Sequence, residues 1–172
     1  MCRFFSGIMK YKMAGIWWDM DLDSHTDILE KFKINDEKRQ PAFVKFEMTP
    51  KDDDVFNHVR ENWVLAVDSD HSQDSIPEWW DRKRAEDIAW IHLHTVFEER
   101  FLIGVTDERT IEMGRWWVKD SKFNMSGGTL NDMSGGTLNN MSGGTLVKQN
   151  GGIAVRGNKI TVANKSYTLE YV

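Results

Sequence analysis

Met125-Ser126-Gly127-Gly128-Thr129-Leu130 returns at residues 133–138 and 141–146, a strict period of eight. A degenerate fourth unit keeps the glycine pair at that spacing, so Gly151-Gly152 follows Gly127-Gly128, Gly135-Gly136 and Gly143-Gly144. A fixed period gives each unit one backbone shape and stacks it on its neighbour. Such a tract builds a surface rather than a reactive pocket. The three octads hold six glycines and no proline, a composition that disfavours a helix. Within each unit Met and Leu stand five residues apart, and an unbroken strand would send them to opposite faces. A bend at Gly-Gly, where backbone angles closed to other residues are open, turns both toward one interior. The expectation is a coil with identical side chains in register and with Asn131, Asn139 and Asn140 in its turns.

Three octads make about one triangular coil or one and a half two-sided coils, too little to bury a core unaided. Residues 118–123 at one end and strands within residues 153–172 at the other are expected to cap it. A flexible linker is the alternative, although a linker has no need for Met and Leu at every period.

Upstream, residues 3–9 alternate as a strand, and Ile16-Trp17-Trp18-Asp19-Met20 is expected to pair with them through a turn. Ser24 has the look of a helix N-cap, followed by Asp27 and an apolar stripe of Ile28, Leu29 and Phe32. Ala42, Val44, Phe46 and Met48 alternate with Lys45 and Glu47, the pattern of a half-buried strand. A short helix is expected around Val55, Phe56 and Val59, then a central strand over residues 63–67. The longest helix is expected to begin at Ile76-Pro77, because proline is tolerated in a first turn. It carries Ala85, Ile88, Ala89, Leu93, Val96 and Phe97 at helical spacing. The fold class expected is therefore an α+β N-terminal domain, residues 1–113, followed by a short β-solenoid-like octapeptide-repeat region, residues 114–172. The octads occupy 125–148 and a strand cap follows.

Composition supports a folded chain: 40% of its 172 residues are hydrophobic and eight are Trp. No apolar run reaches the ~18 residues that span a bilayer. The first ten residues are too soon interrupted by charge for a signal peptide. The single cysteine suits a reducing cytoplasm. The net charge is -5, and the acidic surplus lies ahead of the octads. That balance argues against direct nucleic-acid binding and permits a basic protein partner.

Asp19, Asp21, Asp23, Asp27 and Glu30 fall at EF-hand ligand positions, but Ser24 replaces the turn glycine and Trp17-Trp18 reads as strand. A strand running into a capped helix is the simpler reading. The five histidines show no zinc spacing. Neither cofactor, metal nor catalytic set is expected. Tryptophan comes in pairs, Trp17-Trp18, Trp79-Trp80 and Trp116-Trp117. Either one of each pair is exposed as an interface anchor, or both lie in the core.

Met1-Cys2-Arg3-Phe4-Phe5-Ser6, Asp23-Ser24-His25-Thr26-Asp27-Ile28, residues 43–50, and Ile76-Pro77-Glu78-Trp79-Trp80 ahead of short-period repeats resemble a group of small proteins. These are carried by bacteriophages and mobile elements of gut bacteria, with a compact N-terminal domain before octapeptide-like repeats. The resemblance brings no catalytic residues. It implies a phage-type accessory protein made in the cytoplasm of a bacterial host.

Three functions follow as expectations. The first is a non-enzymatic, anti-defence (anti-CRISPR-like) inhibitor that binds and blocks a host protein with a basic surface. Asp52, Asp53, Asp54, Trp79, Trp80, Trp116 and Trp117 would be its contacts. The second is a structural, self-assembling repeat protein of a phage particle or fibre, a homo-oligomer through the repeats. The third is an enzyme using Cys2 or an Asp23/His25 pair.

Overall fold

The computed structural model describes residues 4–12, 14–35, 43–68, 76–107, 109–156, 159–162 and 165–168. Cys2 and most of the charged loop before Phe43 lie outside them. The chain divides into two compact units, Met1–Phe97 and Glu98–Val172. Among the described residues no helix is long and apolar enough to cross a membrane.

The first unit is a mixed α/β region: β1 (Phe5–Lys10), α1 (His25–Lys31), β2 (Phe43–Pro50), β3 (Trp63–Val67) and α2 (Arg82–Arg100), the last running into the unit boundary. The strands form one antiparallel sheet in the order β1-β2-β3. The centre is therefore β2, and β3 is an edge, contrary to the expectation from its apolar run. On β3 only Trp63 and Leu65 are buried, while Val64 and Ala66 face solvent. On β2 even Lys45 is buried, its ammonium lying over the Phe43 ring.

The expected strand at residues 16–20 contracts to one bridge, in which Ile8 and Trp17 exchange backbone hydrogen bonds of 2.9 and 2.8 Å. Ser24 holds the N-cap position of α1 in extended conformation without a side-chain cap bond. Ile28 and Leu29 are buried, but Phe32 stands at the C-cap and is exposed. In place of the short helix around Val55, a 3-10 turn covers Arg60–Asn62.

The long helix starts later than Pro77. The carbonyl of Pro77 instead accepts the Trp80 N–H to close a turn, and Asp81 Oδ1 caps α2 by accepting the Arg84 N–H. Ala85, Ala89, Leu93, Val96 and Phe97 then form one buried stripe. Phe97 closes an aromatic cluster, with ring centroids 5.3 Å from Trp63 and 6.3 Å from Phe4.

The second unit is a two-sided parallel β-solenoid. Strands β4 (Phe101–Ile103), β6 (Arg115–Lys119), β8 (Thr129–Ser134) and β10 (Thr145–Leu146) form one sheet. Between them the chain crosses to a second sheet of β5 (Arg109–Ile111), β7 (Lys122–Met125), β9 (Thr137–Met141) and β11 (Ile153–Arg156). Pairing along each stack is parallel. Antiparallel β12 (Lys159–Val162) and β13 (Lys165–Thr168) prolong only the second sheet. One turn of the coil thus consumes two octads.

Stacking in register produces interior columns: Leu102-Val118-Met133, Trp116-Leu130-Leu146, Ile111-Met125-Met141 and Phe123-Leu138-Ala154. Met125, Leu130, Met133 and Leu138 are at most 1% exposed, so Met and Leu of each octad do share one interior. Two whole units precede the visible repeats. Residues 111–116 and 118–123 keep an apolar pair five apart, and their strands carry the next rungs. Residues 118–123 are therefore part of the coil rather than its cap. The solenoid also reaches back to Phe101, which moves the division of the chain from the expected 113/114 to Phe97/Glu98.

These earlier units recur every seven residues, the octads every eight. Register shifts opposite Trp116/Trp117 and Phe123/Asn124 absorb the extra residue, leaving Asn131 and Asn139 at bulges. The asparagines expected in turns are thus strand residues. In the octads the corners belong to glycine, whereas the earlier corner between β6 and β7 is turned by Asp120 at a φ of 50°.

Candidate functional site

Corner geometry explains why the repeat spends two glycines per unit. Gly128 and Gly144 adopt φ of 73° and 81°, in the left-handed region that costs other residues strain. They stack directly: a Cβ on Gly144 would meet the carbonyls of Gly127 and Gly128, each at 2.7 Å. Gly143 serves a different need, because a Cβ there would run into the Ser126 carbonyl of the coil beneath. Between corners, Thr145 N–H donates to Gly128 O at 3.0 Å and Ser142 N–H to Met125 O at 2.9 Å, so corner backbones bond from coil to coil.

The last coil thins. Where the octads place Met and Leu, the fourth unit has Gln149 and Ala154, both buried. Gln149 Nε2 donates to Gly152 O at 3.2 Å, a local bond that replaces a methionine's packing. Charge also stacks in register: Lys148 Nζ lies 3.4 Å from Asp132, to which Asn150 Nδ2 also donates at 3.0 Å. The first sheet ends on β10, beside which Val147 is 63% exposed and Leu146 only partly covered. Among the described residues no strand pairs with the outer side of β10.

The interaction residues expected from sequence fall in both units. Asp52, Asp53 and Asp54 are exposed in the turn after β2, where Asp54 Oδ1 accepts the Phe56 N–H at 3.0 Å. Trp79 and Trp80 are half-buried, packing on Tyr11 and Phe46 with centroids 5.7 Å apart in each case. Trp117 is buried against Phe101, while Trp116 is half-buried and donates Nε1–H to Met113 O at 2.8 Å. None of the eight tryptophans stands out as an exposed anchor.

The chemical candidates also separate. His25 is buried: Nδ1 lies 3.1 Å from Asp68 Oδ2 and Nε2 3.0 Å from Phe46 O. It thereby ties the start of α1 to β2 and the end of β3, a structural bond missed because its partner is 43 residues away. Asp19 bonds to Lys31 and to the Asp21 N–H. Among the described residues no three His, Cys, Asp or Glu side chains gather as a metal ion would need. His58 stacks on Phe97 at 3.8 Å, and burial, reinforced by His94, holds it below the ordinary imidazole value against a pull from Asp54. His92, beside Trp18, is lowered by burial alone.

Comparison with family models, curated proteins and solved structures finds no match to this chain. The class is defined by the fold itself: a mixed α/β region carrying a two-sided β-solenoid.

Proposed function

We propose that the chain is a non-enzymatic structural repeat protein that self-associates through its solenoid. The observation that carries this reading is the open rung at β10. One sheet is extended by the β12–β13 hairpin, whereas among the described residues the other stops at Thr145–Leu146, with apolar Val147 exposed. An exposed edge with apolar side chains templates further pairing unless it is blunted. The partner is a second copy, edge to edge, which makes a self-complementary dimer. The N-terminal motifs that resemble phage and mobile-element proteins support a part in a particle or fibre. Occlusion of a host protein has less behind it, because its expected contacts are split between two units and its tryptophans are largely covered.

Sedimentation velocity over a range of concentrations tests the proposal. Association that rises with concentration and is abolished by Val147→Lys is the expected result. A strict monomer at every concentration, or association indifferent to Val147→Lys, overturns it.

A further inference from the structure

We propose that the first unit holds a binding site for a free mononucleotide. A cleft of about 200 Å³ lies between the end of β1 and the start of α2. Lys10, Lys12 and Arg84 border it, with the rings of Tyr11 and Trp79 as walls. Three cations at one cleft run against the charge of a chain that is -5 overall. Lys10 and Lys12 are exposed, and among the described residues neither has a carboxylate partner. Their ammonium groups lie over aromatic rings instead, Lys10 5.8 Å from the Trp17 centroid and Lys12 5.1 Å from that of Tyr11. Arg84 is anchored by a 3.2 Å bond to Ala14 O. The one acid in the lining, Asp81, is engaged in capping α2.

Cations poised over rings beside a cleft suit an anion attached to a flat, π-rich body. The phosphate meets Lys12 and Arg84, and the base packs on the wall formed by Tyr11 and Trp79, whose rings are tilted by 48°. The cleft's size suits one nucleotide rather than a strand, and a net charge of -5 disfavours a longer polyanion.

Titration calorimetry of the full chain with AMP, adenosine, inorganic phosphate and a short single-stranded oligonucleotide is the test. AMP should bind saturably and at least about tenfold more tightly than adenosine, which lacks the anion, or phosphate, which lacks the ring. Lys10→Glu/Lys12→Glu should weaken AMP about tenfold or more, and Tyr11→Ala should lower AMP affinity while leaving phosphate unchanged. All three positions are exposed, and circular dichroism of each variant verifies its fold. No saturable AMP binding, phosphate binding as tightly as AMP, preference for the oligonucleotide, or indifference to charge reversal each overturns the proposal.

Discussion

At the scale of single residues, the solenoid is decided by what glycine lacks. Gly143 sits where a methyl group would enter the Ser126 carbonyl, and the backbone that supplies that carbonyl belongs to a stacked corner and cannot easily yield. Gly143→Ala should therefore destabilise the second unit by about 1–3 kcal/mol, the usual range for enforced backbone strain. Gly15, with no atom within 4 Å of a built Cβ, provides the control. Gly15→Ala should change stability by less than about 0.5 kcal/mol. Urea denaturation of both variants measures the difference, and equal midpoints would contradict the corner argument.

Among elements, the unit of construction is the full turn, two octads. Removal of residues 129–144 takes out one turn, sets β10 on β6 and β11 on β7, and leaves the terminal hairpin on its own sheet. Removal of residues 133–140 takes out half a turn and transfers that hairpin to the opposite sheet, where the thinned last coil no longer fits. The shorter deletion should be the more damaging one. Thermal unfolding followed by circular dichroism should show a cooperative transition for the sixteen-residue deletion and a lower, broader one for the eight-residue deletion.

How far these elements were legible depended on where their information lay. Local pattern sufficed for the octads, since the Met-to-Leu spacing and the glycine pair together admit one bend. It also sufficed for the buried stripe of α2. The units at residues 111–123 escaped notice because they share spacing but not letters: Ile111 and Trp116, then Val118 and Phe123, stand where Met and Leu stand later. Their shorter period hid them further, and only pairing to a longer neighbour reveals it through the bulges at Asn131 and Asn139. Strand β3 looked central because five apolar residues in a row signal burial, yet sheet order is a long-range property. His25 and Asp68, like Lys10 and Arg84, are joined by tertiary structure alone.

For the molecule as a whole, the two units differ in how they meet acid. All five histidines precede Glu98, and within the first unit burial lowers His58 and His92 from their ordinary value. A lowered imidazole is kept neutral by the fold, so below about pH 6.5 the unfolded chain takes up the proton first. The stability involved is present in full above that value and is lost as the pH falls through it toward the folded pKa. Calorimetric scans at pH 7.5 and 5.5 should show the first unit melting at lower temperature in acid. A His58→Phe/His92→Phe variant should show less of that loss. An acid response unchanged by the double substitution would assign it to other groups.

The need for whole turns has a hereditary side. Where the codons of the three identical hexapeptides are also alike, slippage during copying adds or drops one octad at a time. Each such event moves the terminal hairpin to the other sheet, and a second is required to restore it. Viable descendants of this gene should therefore differ in length by even steps, so that the protein's architecture acts as a parity check on its own DNA.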